Sequence, residues 1–155
     1  MLSSEPIVSG MPSRVRTAPR KWRADHPAIR QAVRMLQRRG AGAARSPQEH
    51  LLLEICRLRS AVASGDWLTM RETNCIQKLA RARFVLNEVG AMAVASHFSN
   101  ALSALRHTRS SHRRDALLQE LHDQVNSAGA FLDELIAVYA QNVLEKLIAS
   151  AEVAA

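Results

Sequence analysis

The last forty residues of the chain carry its longest regular hydrophobic pattern. Apolar residues recur there every three or four positions, a spacing that places them on one face of an α-helix. They are Leu117, Leu118, Leu121, Val125, Ala128, Leu132, Leu135, Tyr139, Val143 and Leu147. We therefore predict one long helix. Gly129 stands in its middle and marks either a kink or a close crossing with another helix.

A capping signal opens the main domain. Ser46 is followed by Pro47 at the first helical position and by Glu49 three residues after the cap, which is the pattern of a capping box. Apolar residues at helical spacing then continue to Val62. No segment shows the strict alternation that a half-buried β-strand requires. The sequence therefore predicts an all-α fold, in which a bundle of about four helices occupies 46–155.

Two further helices are expected between this first helix and the long one. Gly65 ends the first helix, and Asp66 can cap a second helix that returns antiparallel to it. The next helix covers 91–106. The polar and basic stretch 107–114 is interpreted as the loop that leads into the long helix.

The N-terminal part of the chain is predicted to lie in front of the bundle. Residues 1–24 mix Ser, Pro, Gly and Arg without apolar periodicity, so we predict a disordered basic arm. Asp25 can cap a short basic amphipathic helix, and Gly40 ends that helix before a flexible linker. The predicted domains are thus an arm (1–24), a basic helix with its linker (25–45) and the helical bundle (46–155).

The net charge of +7 is distributed unevenly along the chain. Residues 1–45 carry +8 and 46–114 carry +5, whereas 115–155 carry −6. A basic front of this kind attracts anions. The acidic end either repels the same anions or folds back on the basic part.

Nine residues of the basic front form a candidate nucleic-acid or anion site. They are Arg14, Arg16, Arg20, Lys21, Trp22, Arg23, Arg30, Arg34 and Arg38. Positive charges at these positions would release counterions from phosphates, and Trp22 could stack on an exposed base. The last three arginines are four residues apart, so they share one face of the short helix.

Three other interpretations of the basic front stay open. The short helix could lie on an anionic membrane surface with Ile29, Val33 and Leu36 inserted. An Arg- and Ser-rich leader that is poor in acidic residues is also typical of an organelle transit peptide. Finally, the segment could be a solvated tail that keeps a small protein soluble.

The sequence contains no motif that assigns a catalytic reaction or a metal. Cys56 and Cys75 are nineteen residues apart and form no zinc-ligand set with the histidines. A Gly-rich phosphate loop and a His-Glu-x-x-His motif are both lacking. His97 could be a phosphotransfer histidine of a bundle, but the Lys and Gly expected after it are missing, which favours a partly buried structural residue. We predict a non-enzymatic protein without cofactor or metal.

The compartment follows from three negative features of the sequence. No stretch approaches the roughly 20 apolar residues of a membrane span, and the first 25 residues lack the apolar core of a secretory signal. Two cysteines are too few for a disulfide scaffold. We expect a cytoplasmic protein, or an organelle protein if the source is eukaryotic, without integral membrane insertion.

Residues 51–88 contain a recognisable order of elements. An apolar helix is followed by the turn Gly65–Trp67 and then by a second helix. This order resembles the opening of small flagellar and type III export chaperones. The resemblance implies a helical bundle that holds an export substrate or regulator in an apolar groove, and it would place that groove on the last helix at Leu132, Leu135 and Tyr139. The alternative is that these three residues belong to the core or to a homodimer seam.

Two functional hypotheses follow. The first is a helical adaptor, regulatory or chaperone-like protein that binds a protein partner or a second copy of itself through apolar helix faces, while its basic arm steers it to acidic partners. The alternative is a nucleic-acid-binding accessory protein that uses the Arg-rich N-terminal region.

Overall fold

The computed structural model describes residues 26–40, 42–65 and 72–154, with side chains in the last range described from Cys75 onward. These residues form six α-helices and no strand, so the predicted all-α class is confirmed. The helices are α1 (Pro27–Arg38), α2 (Pro47–Ser64), α3 (Glu72–Glu88), α4 (Met92–Arg106), α5 (Ser111–Ser127) and α6 (Gly129–Val153). The arm predicted over 1–24 lies outside the described residues.

The capping box predicted at the start of α2 is confirmed. The Ser46 hydroxyl accepts a hydrogen bond from the Glu49 backbone N–H at 3.2 Å, and Glu49 Oε2 accepts one from the Ser46 N–H at 3.2 Å. Each residue thus satisfies a donor that the helix itself leaves unpaired. The predicted end of α2 is confirmed as well, because Gly65 adopts a left-handed φ of 72° that helical residues do not adopt.

The start of α1 differs from the prediction by one residue. His26, and not Asp25, is the N-cap, and its Nδ1 accepts a hydrogen bond from the Ala28 N–H at 3.2 Å. Pro27 has no N–H, so the first donor of the helix that needs a partner belongs to Ala28. A side chain at position 26 is well placed to reach that donor.

Helix α1 is part of the packed bundle rather than an attachment in front of it. Ile29, Ala32 and Leu36 are fully buried in the common core, where α1 packs along α6. Their burial also removes the basis for inserting the Ile29, Val33 and Leu36 face into a membrane, since α6 already covers Ile29 and Leu36. Helix α1 is amphipathic, as predicted, but its apolar face packs in the core of the bundle.

The single long helix predicted for the last segment is wrong. The chain leaves helical geometry at Ala128 (φ −90°, ψ 8°), so that α5 ends at Ser127 and α6 begins at Gly129. Apolar spacing could not show this break, because residues of both halves point into the same core. Residues from Ser46 onward therefore form five described helices and not about four.

Gly129, predicted to mark a kink or a close helix crossing, lies at the helix break and beside a side chain of α2. A Cβ placed on this residue would lie 2.9 Å from Nη2 of Arg59 on α2, which is closer than side-chain atoms normally approach. The guanidinium of Arg59 therefore occupies the space beside the α5–α6 junction.

Helix α2 is the centre of the arrangement. It contacts α6, α3 and α5, whereas α3 packs on α4 and α4 packs on α5 as successive neighbours. Within the described residues, all three ion pairs involve α2: Arg39–Glu49 towards the end of α1, Glu54–Arg81 towards α3, and Arg59–Asp133 towards α6. The hydrophobic core receives residues from all six helices.

Candidate functional site

Helix α1 presents three of the predicted site residues together. Arg30, Arg34 and Arg38 are all exposed, one turn apart, on the face opposite Ile29 and Leu36. The helix contains no acidic residue, and within the described residues none of these three guanidinium groups forms an ion pair or a hydrogen bond. The predicted basic stripe is therefore a continuous cationic surface. The other six predicted residues, Arg14, Arg16, Arg20, Lys21, Trp22 and Arg23, lie outside the described residues.

A second cationic cluster lies at the turn between α4 and α5. The sequence predicts only a loop there. It contains Arg106, His107, Arg109, His112, Arg113 and Arg114. All but Arg114 are exposed. The 26 residues from Val89 to Arg114 include no Asp or Glu, and the first acidic residue of α5 is Asp115, in its second turn. This absence of acidic residues was visible in the sequence and could have identified the cluster. We call it the α4–α5 basic turn.

The start of α5 adds to the positive potential of the α4–α5 basic turn. Ser110 is the N-cap, and its hydroxyl accepts a hydrogen bond from the Arg113 N–H at 3.4 Å. The first turn of the helix carries Arg113 and no acidic residue. Cations at this position repel the positive end of the helix dipole, whereas acidic residues would stabilise it. An anion bound at this turn would relieve the repulsion.

The two cationic surfaces have different neighbours in the bundle. The Arg39–Glu49 ion pair joins the end of α1 to the start of α2, with Nη1 3.1 Å from Oε1. Burial raises the pKa of the Cys75 thiol on α3, and the charge of Arg114 from the α4–α5 basic turn opposes part of that shift.

Of the three residues predicted to line an apolar groove on the last helix, one is fully buried. Leu132 is 0% exposed, and Leu135 and Tyr139 are half-buried against the core. Burial, followed by the charge of Glu88, raises the pKa of the Tyr139 phenol. The expectation that these residues face a partner is wrong for Leu132, which is covered by the other helices. Their positions agree with the alternative that these residues belong to the core.

The outer face of α6 carries a different set of apolar residues. Phe131 and Val138 are 51% and 61% exposed, and Ile148 is 40% exposed. Glu134 and Glu145, eleven residues apart, are exposed on the same side of the helix. This surface combines apolar and acidic side chains, in contrast to the two arginine surfaces.

The histidines and cysteines of the described residues show no catalytic arrangement. His97 is half-buried, as expected, beside a cleft of about 250 Å³ between α4 and α5 that Asn100, Glu120 and Gln124 also line. In the part of the chain that is described, no three His, Cys, Asp or Glu side chains come together as metal ligands. Burial raises the pKa of the Cys56 thiol to about 11, so this residue is not a nucleophile at neutral pH. None of the six helices is both long and apolar enough to cross a membrane.

Comparison of the chain with family models, with curated proteins and with solved structures gives no match. The resemblance of residues 51–88 to export chaperones therefore stays a prediction. Of its turn, Gly65 is described, whereas Asp66 and Trp67 lie outside the described residues.

Proposed function

We propose that the protein is a non-enzymatic nucleic-acid-binding accessory protein whose arginines hold the phosphate backbone. The observation that carries this proposal is the α4–α5 basic turn, a cluster of arginines and histidines that are exposed except for Arg114 and that lie in a 26-residue stretch without Asp or Glu. The arginine stripe of α1 supplies a second surface of the same chemistry.

The free energy of such binding comes from the release of counterions. Each phosphate that an arginine neutralises frees condensed cations, so affinity falls as the salt concentration rises. The guanidinium group also matches phosphate geometry with two parallel hydrogen bonds. Contacts of this type fix position on the backbone but read no bases. We therefore expect binding to duplex and single-stranded DNA without strong sequence preference.

Two surfaces of the same chemistry on one small bundle suit a long polymer. One duplex could meet both surfaces, or the two could hold different segments. The basic residues between Arg14 and Arg23, if they contribute, would extend the contact beyond α1.

The test is a titration of the full chain with a fluorescently labelled duplex at several salt concentrations. We expect the double variant Arg109→Gln/Arg113→Gln to reduce the slope of log K against log salt by about 2. The control Arg57→Gln/Arg83→Gln removes the same charge from α2 and α3, and it should leave the slope nearly unchanged. Equal affinity and slope for all three proteins, or binding that does not depend on salt, would rule the proposal out.

The adaptor hypothesis keeps one specific observation in its favour, the exposed Phe131 and Val138 on α6. Such a surface fits a second copy of the chain or a partner with an apolar and basic face. The measurement is the molar mass of the full chain in solution as a function of concentration. Self-association that the Phe131→Ser/Val138→Ser variant abolishes would support a homodimer seam, and a monomer at all concentrations would exclude it.

A further inference from the structure

The last turns of α1 and α6 enclose a cleft that the nucleic-acid proposal does not use. Its volume is about 430 Å³, within the range of small-molecule sites in proteins. Most of its wall is apolar and comes from Met35 on α1 and from Leu147 and Ala151 on α6. The polar part of the wall includes the guanidinium groups of Arg38 and Arg39.

The two arginines of the cleft are in different states. Arg39 is held by Glu49, with its Nη1 3.1 Å from Oε1 and 3.2 Å from Oε2. Glu49 therefore neutralises one of the two positive charges. Arg38 is exposed and has no ion-pair or hydrogen-bond partner among the described residues. The cleft consequently carries one uncompensated positive charge beside an apolar wall.

We propose that this cleft binds a single alkyl chain with an anionic head group. A free phosphate would pair with Arg38 but would leave the apolar wall in contact with water. A neutral hydrocarbon would cover that wall but would desolvate the arginine without compensation. An amphipathic anion satisfies both, because its chain lies on Met35, Leu147 and Ala151 while its head group accepts hydrogen bonds from Arg38.

The length of the cleft selects a short chain. Its lining on α6 runs from Leu147 to Ala154, a separation of seven positions that covers about 10 Å along the helix. Octanoate is therefore a suitable probe. The inference does not depend on nucleic-acid binding, although Arg38 belongs to both surfaces.

The experiment titrates the full chain with octanoate, with octanol as the neutral control, and follows binding by calorimetry and by methyl NMR. We expect saturable binding of octanoate, weaker binding of octanol, and shifts of the Ala151 and Ala154 methyl signals. Arg38→Gln should weaken octanoate binding by about tenfold, the loss of one charged hydrogen-bonding group. Arg30→Gln is the matched control, since Arg30 is exposed on the same helix but lies outside the cleft; it should bind as the wild type does.

Ala151→Phe fills the cleft from an exposed position and should abolish octanoate binding while circular dichroism shows an unchanged helix content. It should also leave nucleic-acid binding intact, so the two proposals fail independently. Octanoate binding that does not saturate, that survives in Ala151→Phe, or that leaves the Ala151 and Ala154 methyls unshifted in the wild type would overturn the site. Equal affinities for octanoate and octanol would overturn the assignment of an anionic head group.

Discussion

The guanidinium of Arg59 on α2 holds the carboxylate of Asp133 on α6 through two contacts, with Nε 2.7 Å from Oδ1 and Nη2 3.3 Å from Oδ2. The Arg59 side chain is only 11% exposed, whereas that of Asp133 is 39% exposed. The same Nη2 lies only 2.9 Å from where a Cβ of residue 129 would be. The side chain of Arg59 thus joins α2 to α6 and fills the space beside the α5–α6 junction.

Replacing the acidic partner should destabilise the fold. Asp133→Asn removes the charge of the carboxylate that pairs with the mostly buried guanidinium of Arg59, and we expect the free energy of unfolding to fall by about 1 to 2 kcal/mol. Urea denaturation at neutral pH measures the change. The control is Glu134→Gln, which removes an exposed carboxylate from the neighbouring position. Equal effects of the two variants would show that the ion pair contributes nothing.

Gly129→Ala should stabilise the wild type less than the higher helix propensity of alanine alone would. The added Cβ would displace the flexible end of Arg59, its Nη2, from its place beside Asp133. In an Arg59→Met background this conflict is removed, so the same change should be more stabilising there. A double-mutant cycle by urea denaturation measures the difference. Equal effects of Gly129→Ala in the two backgrounds would contradict this account.

The sequence predicted local features better than tertiary ones. The capping box at Ser46 and the helix end at Gly65 depend on residues a few positions apart, and both are confirmed. The crowding beside the α5–α6 junction involves Arg59, which is about seventy residues away in the chain. Periodicity shows which face of a helix is buried. It cannot show where one helix ends and the next begins when both bury their apolar faces in the same core.

The candidate site shows the same limit. The pattern placed Arg30, Arg34 and Arg38 on one exposed face, as the structure has them. It also assigned Leu132 to an open groove, because an apolar face looks identical whether another helix covers it or not. The α4–α5 basic turn was overlooked since it has no periodicity, and its distinguishing property is a lack of carboxylates over a long stretch.

The capping box should contribute measurably to stability. Ser46→Ala removes one cap hydrogen bond and should cost about 1 kcal/mol. Glu49→Ala should cost more, because Glu49 is 8% exposed and binds both the Ser46 N–H and the Arg39 guanidinium. Thermal or urea unfolding gives both values, with the exposed Gln48→Ala as the control. A Glu49→Ala variant as stable as Gln48→Ala would refute the role given to this carboxylate.

The stability of the protein should fall at alkaline pH through Cys56. Burial raises the pKa of its thiol from 9.0 to about 11, so the unfolded chain ionises first. The contribution of this pKa shift to the free energy of unfolding is therefore fully present below pH 9. It is lost as the pH rises towards 11, and the loss amounts to at most about 3 kcal/mol. Urea denaturation at pH 7.5 and 10.5 should show a smaller loss for Cys56→Ala than for the wild type. Identical losses would mean that this thiol has no part in the pH dependence.

Truncation should show that α1 contributes to the stability of the fold and that the segment 1–25 does not. A chain of residues 26–155 should unfold as cooperatively as the full protein, since all six described helices are kept. A chain of residues 46–155 loses the buried Ile29 and Leu36, each of which contributes roughly 1.5 to 3 kcal/mol. Its urea midpoint should drop and it should bind a hydrophobic dye. An unchanged midpoint for 46–155 would show that α1 is dispensable.

The packing of α1 against α6 also determines when folding can be completed during synthesis. The ninety residues 39–128 separate these two neighbours in the chain. A ribosome that translates at about 5 to 20 residues per second must therefore add these residues, and then α6 itself, before the apolar side of α1 is covered. Any polypeptide released before Gly129 keeps Ile29 and Leu36 in water, which marks it for chaperones, proteases or aggregation.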